Sequence, residues 1–472
     1  MGYGQLNEEF EYFNVLDEVK RFERFASGEG EPAFFMDLMM IDEIFDYYQE
    51  TDKPDFALRL MDYAISNHPY ISDFYYKKAT VEGMLGKYVE AYESIEQAIR
   101  QKPHECQYLI LKSKILTYLD LIPQAIEILY DALEITREPA EVYKAIGSLH
   151  YSIGKSLHSV RFYAQALALD PSREDLIYDI VDAYDTNEDL EGAIRFCNNF
   201  IDDNPYSYHA WYNLGLLYLK QGLFEKALDS FEYSIIIDPT QVGGYQAKAR
   251  CYIEMDKLDQ AISVLLESLY QDKKNGISLI ALGECYQELE LYDRARYYYT
   301  QCAQYYPELP DAYLGIASTF ECEEKYVSAI HYYKEALKHN EAYYDAWVGL
   351  AECEFLLGNK NSAYDALTQA LAYHTDDISL WIDWAERLDE DGNLQGALIM
   401  LEEGIMLLPH EVELYYRYAA YLFKAGRTRE AYNYLENALL LNFDRHTLLY
   451  EFCPQVAQLR PIQEIIEQYR PR

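Results

Sequence analysis

Small and large apolar residues recur along the chain with a period of 34 residues. Stepping by 34 from Ala227 in both directions meets eleven alanines and one serine, Ser159, without an insertion. Further columns of small residues lie twelve positions before and seven positions after this one, with large aromatic residues between them. Such a pattern predicts units of two helices, about a dozen residues each, that bury their apolar faces on one another because neither is stable alone. No strand pattern occurs.

Glycine and proline mark the predicted ends of these helices. Six glycines fall at the turn inside a unit, where glycine adopts the left-handed conformation without steric strain. They are Gly86, Gly154, Gly222, Gly358, Gly392 and Gly426. Prolines such as Pro69, Pro239 and Pro409 close a unit, because proline cannot continue a helix. The small columns predict close helix crossings.

One segment carries the residues of a known repeat. Its pattern is Trp211-x2-Leu214-Gly215-x2-Tyr218, then Ala227-x3-Phe231 and Pro239. Here the chain resembles the tetratricopeptide repeat family, whose 34-residue repeat has these residues at these positions. The resemblance implies an all-α fold, a right-handed superhelical α-solenoid of about twelve helix-turn-helix repeats with capping helices at both ends. It also implies that the first helices line a concave groove that holds a partner's peptide or helix.

The period divides the chain into three parts. Twelve tandem repeats are expected over residues 38–445, and a degenerate thirteenth repeat over 446–472 forms the C-terminal cap. Residues 1–37 hold a predicted amphipathic helix and a loop, with the break at Gly28–Pro32. We expect this helix to cap the first repeat; docking to a partner is the alternative. The apolar stripe of this helix comprises Leu6, Phe10, Phe13, Leu16 and Val19.

Composition narrows the function. The chain has 80 acidic and 40 basic residues, a formal charge of −40, and this disfavours nucleic-acid binding, which needs cations. No apolar run is long enough to cross a membrane, and no secretory signal begins the sequence, so we expect no membrane insertion. The eight cysteines form no CxxC pair, as expected in a reducing compartment. The prediction is a cytoplasmic protein.

Catalytic and metal-binding motifs are missing from the sequence. There is no HExxH pair, no Gly-x-Ser-x-Gly turn and no glycine-rich phosphate loop. His104-Glu105-Cys106 has metal-ligand residue types, but it lies at a repeat junction without a second pair of ligands. The sequence therefore predicts a protein that is not an enzyme and needs no cofactor or metal.

The resemblance places the second, fifth, sixth, ninth and twelfth positions of each repeat in the groove. In the fifth repeat these are Asp175, Tyr178, Asp179, Asp182 and Asp185. In the eighth to eleventh repeats this stripe and its neighbours contribute Glu284, Glu288, Glu321, Glu352, Glu386, Asp389 and Glu390. Stacked carboxylates repel one another and focus a negative potential. We therefore predict a Lys/Arg-rich partner segment along repeats eight to eleven; the alternative is an acidic surface that serves solubility.

Tyrosine is unusually frequent, with 49 residues. Most are expected to fill the core. Candidates for partner contact are Tyr178, Tyr212, Tyr416 and the run Tyr297-Tyr298-Tyr299, because the amphipathic ring buries a large area at low entropic cost. The predicted groove is therefore both acidic and rich in tyrosine.

A second, basic groove patch is predicted near the N-terminus, from Lys77, Lys114 and Lys144. Family members that grip a C-terminal carboxylate use Lys and Asn at defined positions. Lys144 fits one of them, but Ser148 and Asp179 stand where Asn is required. This departure argues against such a clamp and leaves an acidic or aromatic peptide as the alternative ligand for repeats two to four.

The leading functional prediction is a non-enzymatic scaffold or adaptor that recruits protein partners. One alternative is a self-associating structural subunit of a larger assembly. Another, from a different class, is a weak regulatory hydrolase acting on a phospho-partner. The sequence leaves the oligomeric state open.

Overall fold

The computed structural model describes residues 3–27, 35–373 and 378–470, with side chains from Val15 onward. The predicted break at Gly28–Pro32 and the side chains of Leu6, Phe10 and Phe13 lie outside the described residues. The chain forms two compact units, Met1–Pro239 and Thr240–Arg472. Every regular element in the described ranges is a helix.

In the first unit, α1 precedes six helix pairs. The helices are α1 (Tyr3–Ala26), α2 (Leu38–Glu50), α3 (Pro54–Asn67), α4 (Ser72–Met84), α5 (Tyr88–Gln101), α6 (Cys106–Tyr118), α7 (Ile122–Ile135), α8 (Pro139–Ser152), α9 (Ser156–Leu169), α10 (Leu176–Thr186), α11 (Leu190–Asp203), α12 (Tyr208–Lys220) and α13 (Phe224–Ile237). Val19 and Phe22 of α1 are buried against the first pair, and the Glu23 carboxylate lies 3.2 Å from Lys53 Nζ.

Six further pairs and a terminal group make up the second unit. The helices are α14 (Val242–Glu254), α15 (Leu258–Gln271), α16 (Gly276–Glu288), α17 (Tyr292–Tyr305), α18 (Pro310–Cys322), α19 (Tyr326–His339), α20 (Tyr344–Leu356), α21 (Lys360–Tyr373), α22 (Ile378–Glu390), α23 (Leu394–Leu407), α24 (Val412–Lys424), α25 (Thr428–Leu441), α26 (Leu448–Phe452) and α27 (Arg460–Gln468). Two short 3₁₀ turns, Phe443–Arg445 and Pro454–Gln458, flank α26. Leu449, Val456 and Ile462 bury this terminal group on the preceding helices.

The small-residue columns have the physical role that the sequence predicts. All twelve members of the column that contains Ala227 are 0 % exposed. At other crossings an aromatic ring packs directly against a glycine. A Cβ atom on Gly215, for example, would lie 2.5 Å from the Phe231 ring. Close contact between paired helices therefore needs small residues at these points. The prediction of an all-α solenoid is confirmed.

The turn inside each pair has one residue in the left-handed conformation, again with a period of 34. At six of these twelve positions the residue is one of the predicted glycines. At the other six it is acidic, namely Asp52, Asp120, Glu188, Asp256, Glu290 and Glu324, with φ between 50° and 60°. A left-handed conformation costs a residue with a Cβ about 1–2 kcal/mol. The repeat geometry therefore imposes this turn even where glycine is absent.

Replacing Glu324 with glycine is expected to raise the free energy of unfolding by roughly 0.5–1 kcal/mol, because relief of the strained φ outweighs the added freedom of the unfolded chain. Urea denaturation measures the change. In the converse variant, Gly358→Ala, a Cβ meets no atom within 4 Å, so only the backbone conformation is penalised. It should lower stability by a similar amount. A loss of stability in Glu324→Gly, or a gain in Gly358→Ala, would contradict this account of the turn.

Candidate functional site

The first helices of successive repeats are linked to one another through polar side chains. We call the surface that carries these links the first-helix face. In the first unit, Lys144 Nζ of α8 lies 3.2 Å from the Asp175 carboxylate, which directly precedes α10. Tyr151 on α8 donates a hydrogen bond of 2.5 Å to Asp182 on α10. The sequence-predicted residues therefore lie beside side chains of the neighbouring repeat.

The fifth repeat is less negative than its sequence indicates. Asp185 forms an ion pair with Lys220 of the next first helix, and Asp175 is paired with Lys144. Asp179 is half-buried, and this burial raises the pKa of its carboxyl group, with further effects from nearby charges. Three of the four predicted carboxylates of this repeat thus already have a cation or a hydroxyl donor.

Two predicted contact tyrosines lie together on this face. The rings of Tyr178 and Tyr212 are 6.3 Å apart, and Tyr212 stacks on Tyr208 at 5.7 Å. Tyr178 Oη lies 3.3 Å from His209 Nδ1. Burial, followed by the neighbouring Tyr212, raises the pKa of Tyr178 to about 12, so the phenol is neutral at physiological pH. These rings offer neutral contact area beside the carboxylates.

The third predicted contact tyrosine lies elsewhere. Tyr416 on α24 is 0 % exposed, and its hydroxyl donates a 3.0 Å hydrogen bond to the Asn442 carbonyl. It fills the core of the second unit, so the expectation of a partner contact at this position was wrong. Its place in the repeat resembles that of Tyr178, but the helices that follow α24 cover it.

In the tenth and eleventh repeats the predicted carboxylates are also paired within the unit. Glu352 forms an ion pair with Arg387. The Glu386 carboxylate lies 3.1 Å from Arg417, and the Asp389 carboxylate lies 2.6 Å from Lys424 Nζ. The partners lie 35, 31 and 35 residues further along the chain, respectively. A basic residue about one repeat after each carboxylate was therefore a sequence signal for these ion pairs, and the carboxylate pattern alone does not contain it. Glu390 is exposed.

The eighth and ninth repeats differ from this arrangement. Within the described part of the chain, no cationic side chain lies within 4 Å of Glu284 or Glu288, and both residues are exposed. Glu321 accepts a hydrogen bond from the Tyr333 hydroxyl, and burial raises the pKa of its carboxyl group. In the part of the chain that the structure describes, these acidic groups therefore have no compensating cation.

A pocket of about 600 Å³ lies beside Glu284, between α16 and the start of α18. Its walls are mainly apolar, with Ile277, Ile280 and Leu309 among them, and Glu284 and Asp311 supply two carboxylates. Tyr343 donates a 2.8 Å hydrogen bond to Asp311. Desolvation by neighbouring atoms, followed by repulsion from Asp311, raises the pKa of Glu284. A cation in this pocket would relieve the repulsion and offset the desolvation, because it stabilises the ionised carboxylates.

The predicted basic patch separates into individual sites. Lys77 is held by Asp42 at 2.7 Å and by Asp73 at 3.4 Å, and Lys144 is held by Asp175. Lys114 is exposed, and no carboxylate of the described residues lies within 4 Å of it. It lines a separate pocket between α6 and α8.

The described residues hold no metal cluster, and their cysteines are unpaired. In the described ranges no three His, Cys, Asp or Glu side chains are arranged to hold a metal ion. All eight cysteines are unpaired thiols, and six of them are buried. None of the helices in the described ranges combines the length and the apolar character that a bilayer crossing requires.

Comparison with protein families identifies four stretches of the chain. Residues 208–241, 242–275, 278–308 and 323–382 match family models described as tetratricopeptide repeat. The first of these stretches is the sixth repeat of the array that the 34-residue period defines, and the others lie within repeats seven to eleven. The first three begin at or near the first helix of a pair, whereas the stretch 323–382 begins just before α19.

Curated relatives share parts of the array. The chain is 23 % identical over 170 residues to the BBSome complex member BBS4 homolog of Drosophila melanogaster, covering 35 % of each protein. It is 22 % identical over 270 residues to DnaJ homolog subfamily C member 7 of Homo sapiens, covering 53 % of this chain and 48 % of that one. Protein O-mannosyl-transferase TMTC1 of Homo sapiens matches over 181 residues at 22 %, which is 20 % of its length. The chain thus spans less than half of each relative.

Solved structures resemble it in part as well. PilW, described as a type IV pilus biogenesis factor, is 18 % identical, with a TM-score of 0.40 over 45 % of this chain and 98 % of PilW. MamA is 24 % identical, with a TM-score of 0.32 over 36 % of this chain and 92 % of MamA.

Proposed function

We propose that this chain, which belongs to the tetratricopeptide repeat family, is a non-enzymatic scaffold that binds partner segments on its first-helix face. Helical repeats of this kind present extended surfaces built from many equivalent helices, and such surfaces suit peptide or helix binding. The transferase among the relatives is matched over only 20 % of its length, so its activity does not transfer to this chain.

The partner segment in this proposal is rich in Lys or Arg and binds at the eighth and ninth repeats. The observation that carries this proposal is the pocket at Glu284 and Asp311, where two carboxylates face apolar walls and no cation of the described chain pairs with them. A Lys or Arg side chain would place its aliphatic stem on Ile277 and Ile280 and its charge on the carboxylates. Glu288 and Glu321 continue the acidic surface along the same repeats.

The tenth and eleventh repeats contribute less to this binding. An incoming cation there would have to displace Arg387, Arg417 or Lys424 from an existing ion pair. Exchanging one ion pair for another gains little free energy. The proposed binding segment is therefore narrower than the stripe of carboxylates in the sequence.

A direct binding experiment tests this proposal. A fluorescein-labelled peptide of four Arg-Ala-Leu triplets is titrated with the full chain, and fluorescence anisotropy is recorded. Because two uncompensated carboxylates are removed from the pocket, the Glu284→Gln/Asp311→Asn variant should weaken binding about tenfold. The matched control is Glu267→Gln/Glu403→Gln, which removes two exposed carboxylates on second helices of the same unit and so reports the effect of net charge alone. Equal affinities of the two double variants would reject the proposed site.

Self-association is the second candidate, and exposed apolar side chains favour it. At the C-terminal ends of second helices in the second unit, Tyr270 is 81 %, Met406 is 73 % and Leu440 is 71 % exposed. Exposed apolar surface of this kind is typical of protein interfaces. Light scattering at micromolar concentration separates the candidates, because a monomer at the chain mass of 55.3 kDa argues against assembly.

The cytoplasm is the compartment we propose. Its support is the set of eight unpaired cysteines, which a reducing environment preserves.

A further inference from the structure

A second pocket, of about 390 Å³, lies on the first-helix face of the first unit. It opens between α6 and α8, in the third and fourth repeats, and is separate from the acidic pocket of the second unit. Ile110 from α6 and Ala145 and Leu149 from α8 contribute its apolar wall. The space is large enough for one large side chain of a partner.

Polar groups that line this pocket are already satisfied within the unit. Its four serine and threonine hydroxyl groups each donate to a backbone carbonyl at 2.9–3.1 Å: Ser113 to Ala125, Thr117 to Ser113, Ser148 to Lys144 and Ser152 to Leu149. Glu141, at the rim, is bound by Arg173. The pocket therefore presents apolar surface to a ligand, and its polar atoms do not need a ligand to complete their hydrogen bonds.

The exception is Lys114. Its ammonium group is exposed and has no carboxylate within 4 Å among the described residues, whereas Lys77 and Lys144 are paired. Tyr118, one helical turn further along α6, is 58 % exposed and stacks on Tyr88 with ring centroids 4.6 Å apart. The stacked pair holds a flat aromatic surface beside the free lysine.

We propose that this pocket is a docking site for an acidic peptide segment of a protein partner. A large apolar side chain of that segment enters the space between α6 and α8, and a neighbouring Asp or Glu binds Lys114. Charge complementarity selects this occupant, since a basic segment would meet Lys114 and Lys144 at the rim. The site is distinct from the proposed cation-binding pocket, and neither site depends on the other.

The net charge of −40 does not forbid an acidic ligand here. At physiological ionic strength the screening length is about 8 Å, so distant carboxylates act weakly on a bound peptide. Glu141, the carboxylate that lines the pocket, is held by Arg173, and Asp175 is held by the lining residue Lys144. The charge close to Lys114 therefore decides whether the pocket prefers an acidic or a basic peptide.

The probe is a fluorescein-labelled, C-terminally amidated peptide with one central Trp flanked on each side by Glu-Ser-Glu. Amidation removes the terminal carboxylate, so binding reports the internal residues alone. Anisotropy titrations of the full chain compare this peptide with one in which Ala replaces Trp. Loss of the anchor should weaken binding about tenfold, because the apolar pocket stays empty.

Variants of the protein locate the site. Lys114→Glu should weaken binding of the Trp peptide about tenfold, and Ala145→Phe should weaken it similarly by filling the pocket. Lys102→Glu is the matched control, because Lys102 is an exposed lysine outside the pocket; we expect its effect to stay within twofold. Circular dichroism and binding of the Arg-Ala-Leu peptide to the second unit show that each variant is folded.

Three results would overturn this proposal. The first is equal weakening by Lys114→Glu and Lys102→Glu, which would mean non-specific charge attraction. The second is equal binding of the Trp and Ala peptides, and the third is unchanged affinity of Ala145→Phe, since each would mean that the pocket is not occupied. Loss of Arg-Ala-Leu binding in the Glu284→Gln/Asp311→Asn variant with retained Trp-peptide binding would support two independent sites.

Discussion

Replacing Tyr299 with alanine is expected to lower the free energy of unfolding of the second unit by about 3–5 kcal/mol. The ring is 2 % exposed and lies between two first helices, so the expectation of a partner contact at Tyr299 was wrong. A Cβ atom built on Gly283 of α16 would lie 2.4 Å from it, and one on Gly315 of α18 would lie 2.5 Å from it. Because one side chain fills the contact between successive repeats, its removal leaves a cavity that the glycines cannot fill. Urea denaturation followed by circular dichroism measures the loss.

Two neighbouring substitutions test whether the ring itself is responsible. Tyr299→Phe removes only a hydroxyl group whose hydrogen bond to Gln287 is long, at 3.4 Å, so its cost should stay below about 1 kcal/mol. Tyr297→Ala truncates an exposed tyrosine on the same helix and should change stability by less than about 0.5 kcal/mol. Similar losses in Tyr297→Ala and Tyr299→Ala would show that packing against the glycines is unimportant.

Replacing Arg417 with alanine is expected to cost about 2–3 kcal/mol and to open the C-terminal group first. Its guanidinium lies 4.1 Å from the centre of the Phe452 ring on α26, and a nitrogen lies 3.1 Å from the Glu386 carboxylate on α22. The residue is 8 % exposed, so truncation removes both contacts and leaves a gap beneath α26. Hydrogen exchange of residues 448–468 should accelerate before exchange elsewhere in the second unit.

The control for Arg417 is Arg427→Ala. Among the described residues Arg427 forms an ion pair with Glu430 alone, three residues away and at the surface, and such pairs contribute little. Arg417→Lys should give an intermediate loss, because an ammonium group keeps the charge but not the flat contact with the ring. Unchanged exchange over 448–468 in Arg417→Ala would show that this arginine does not hold the terminal group.

The same contacts determine how charge substitutions on this face should be interpreted. Reversing Glu352, Glu386 and Asp389 together would break three ion pairs within the unit and place like charges beside Arg387, Arg417 and Lys424. Any loss of partner binding in that variant would include a loss of stability. Glu284 and Asp311 avoid this ambiguity, because no cation pairs with them in the described residues.

The candidate site could be predicted from the sequence only in part. The period of 34 residues identified which carboxylates share a face, as Asp182 and Asp185 show by bonding to the first helices on either side of α10. It did not reveal that many of these carboxylates are neutralised. Such pairing depends on how far a lysine or arginine of the next repeat can reach, and this reach is decided by the distance between helices.

The sequence by itself determined the helix pairs, their turns and the small residues at their crossings, because these features arise from local steric rules repeated every 34 residues. Only the tertiary structure decided that Tyr416 is core and that, among the residues it describes, no carboxylate pairs with Lys114 and no cation with Glu284. Each of these depends on side chains from a neighbouring repeat or from the terminal helices. Equivalent positions in a periodic sequence therefore acquire different environments, and those differences place the proposed binding sites.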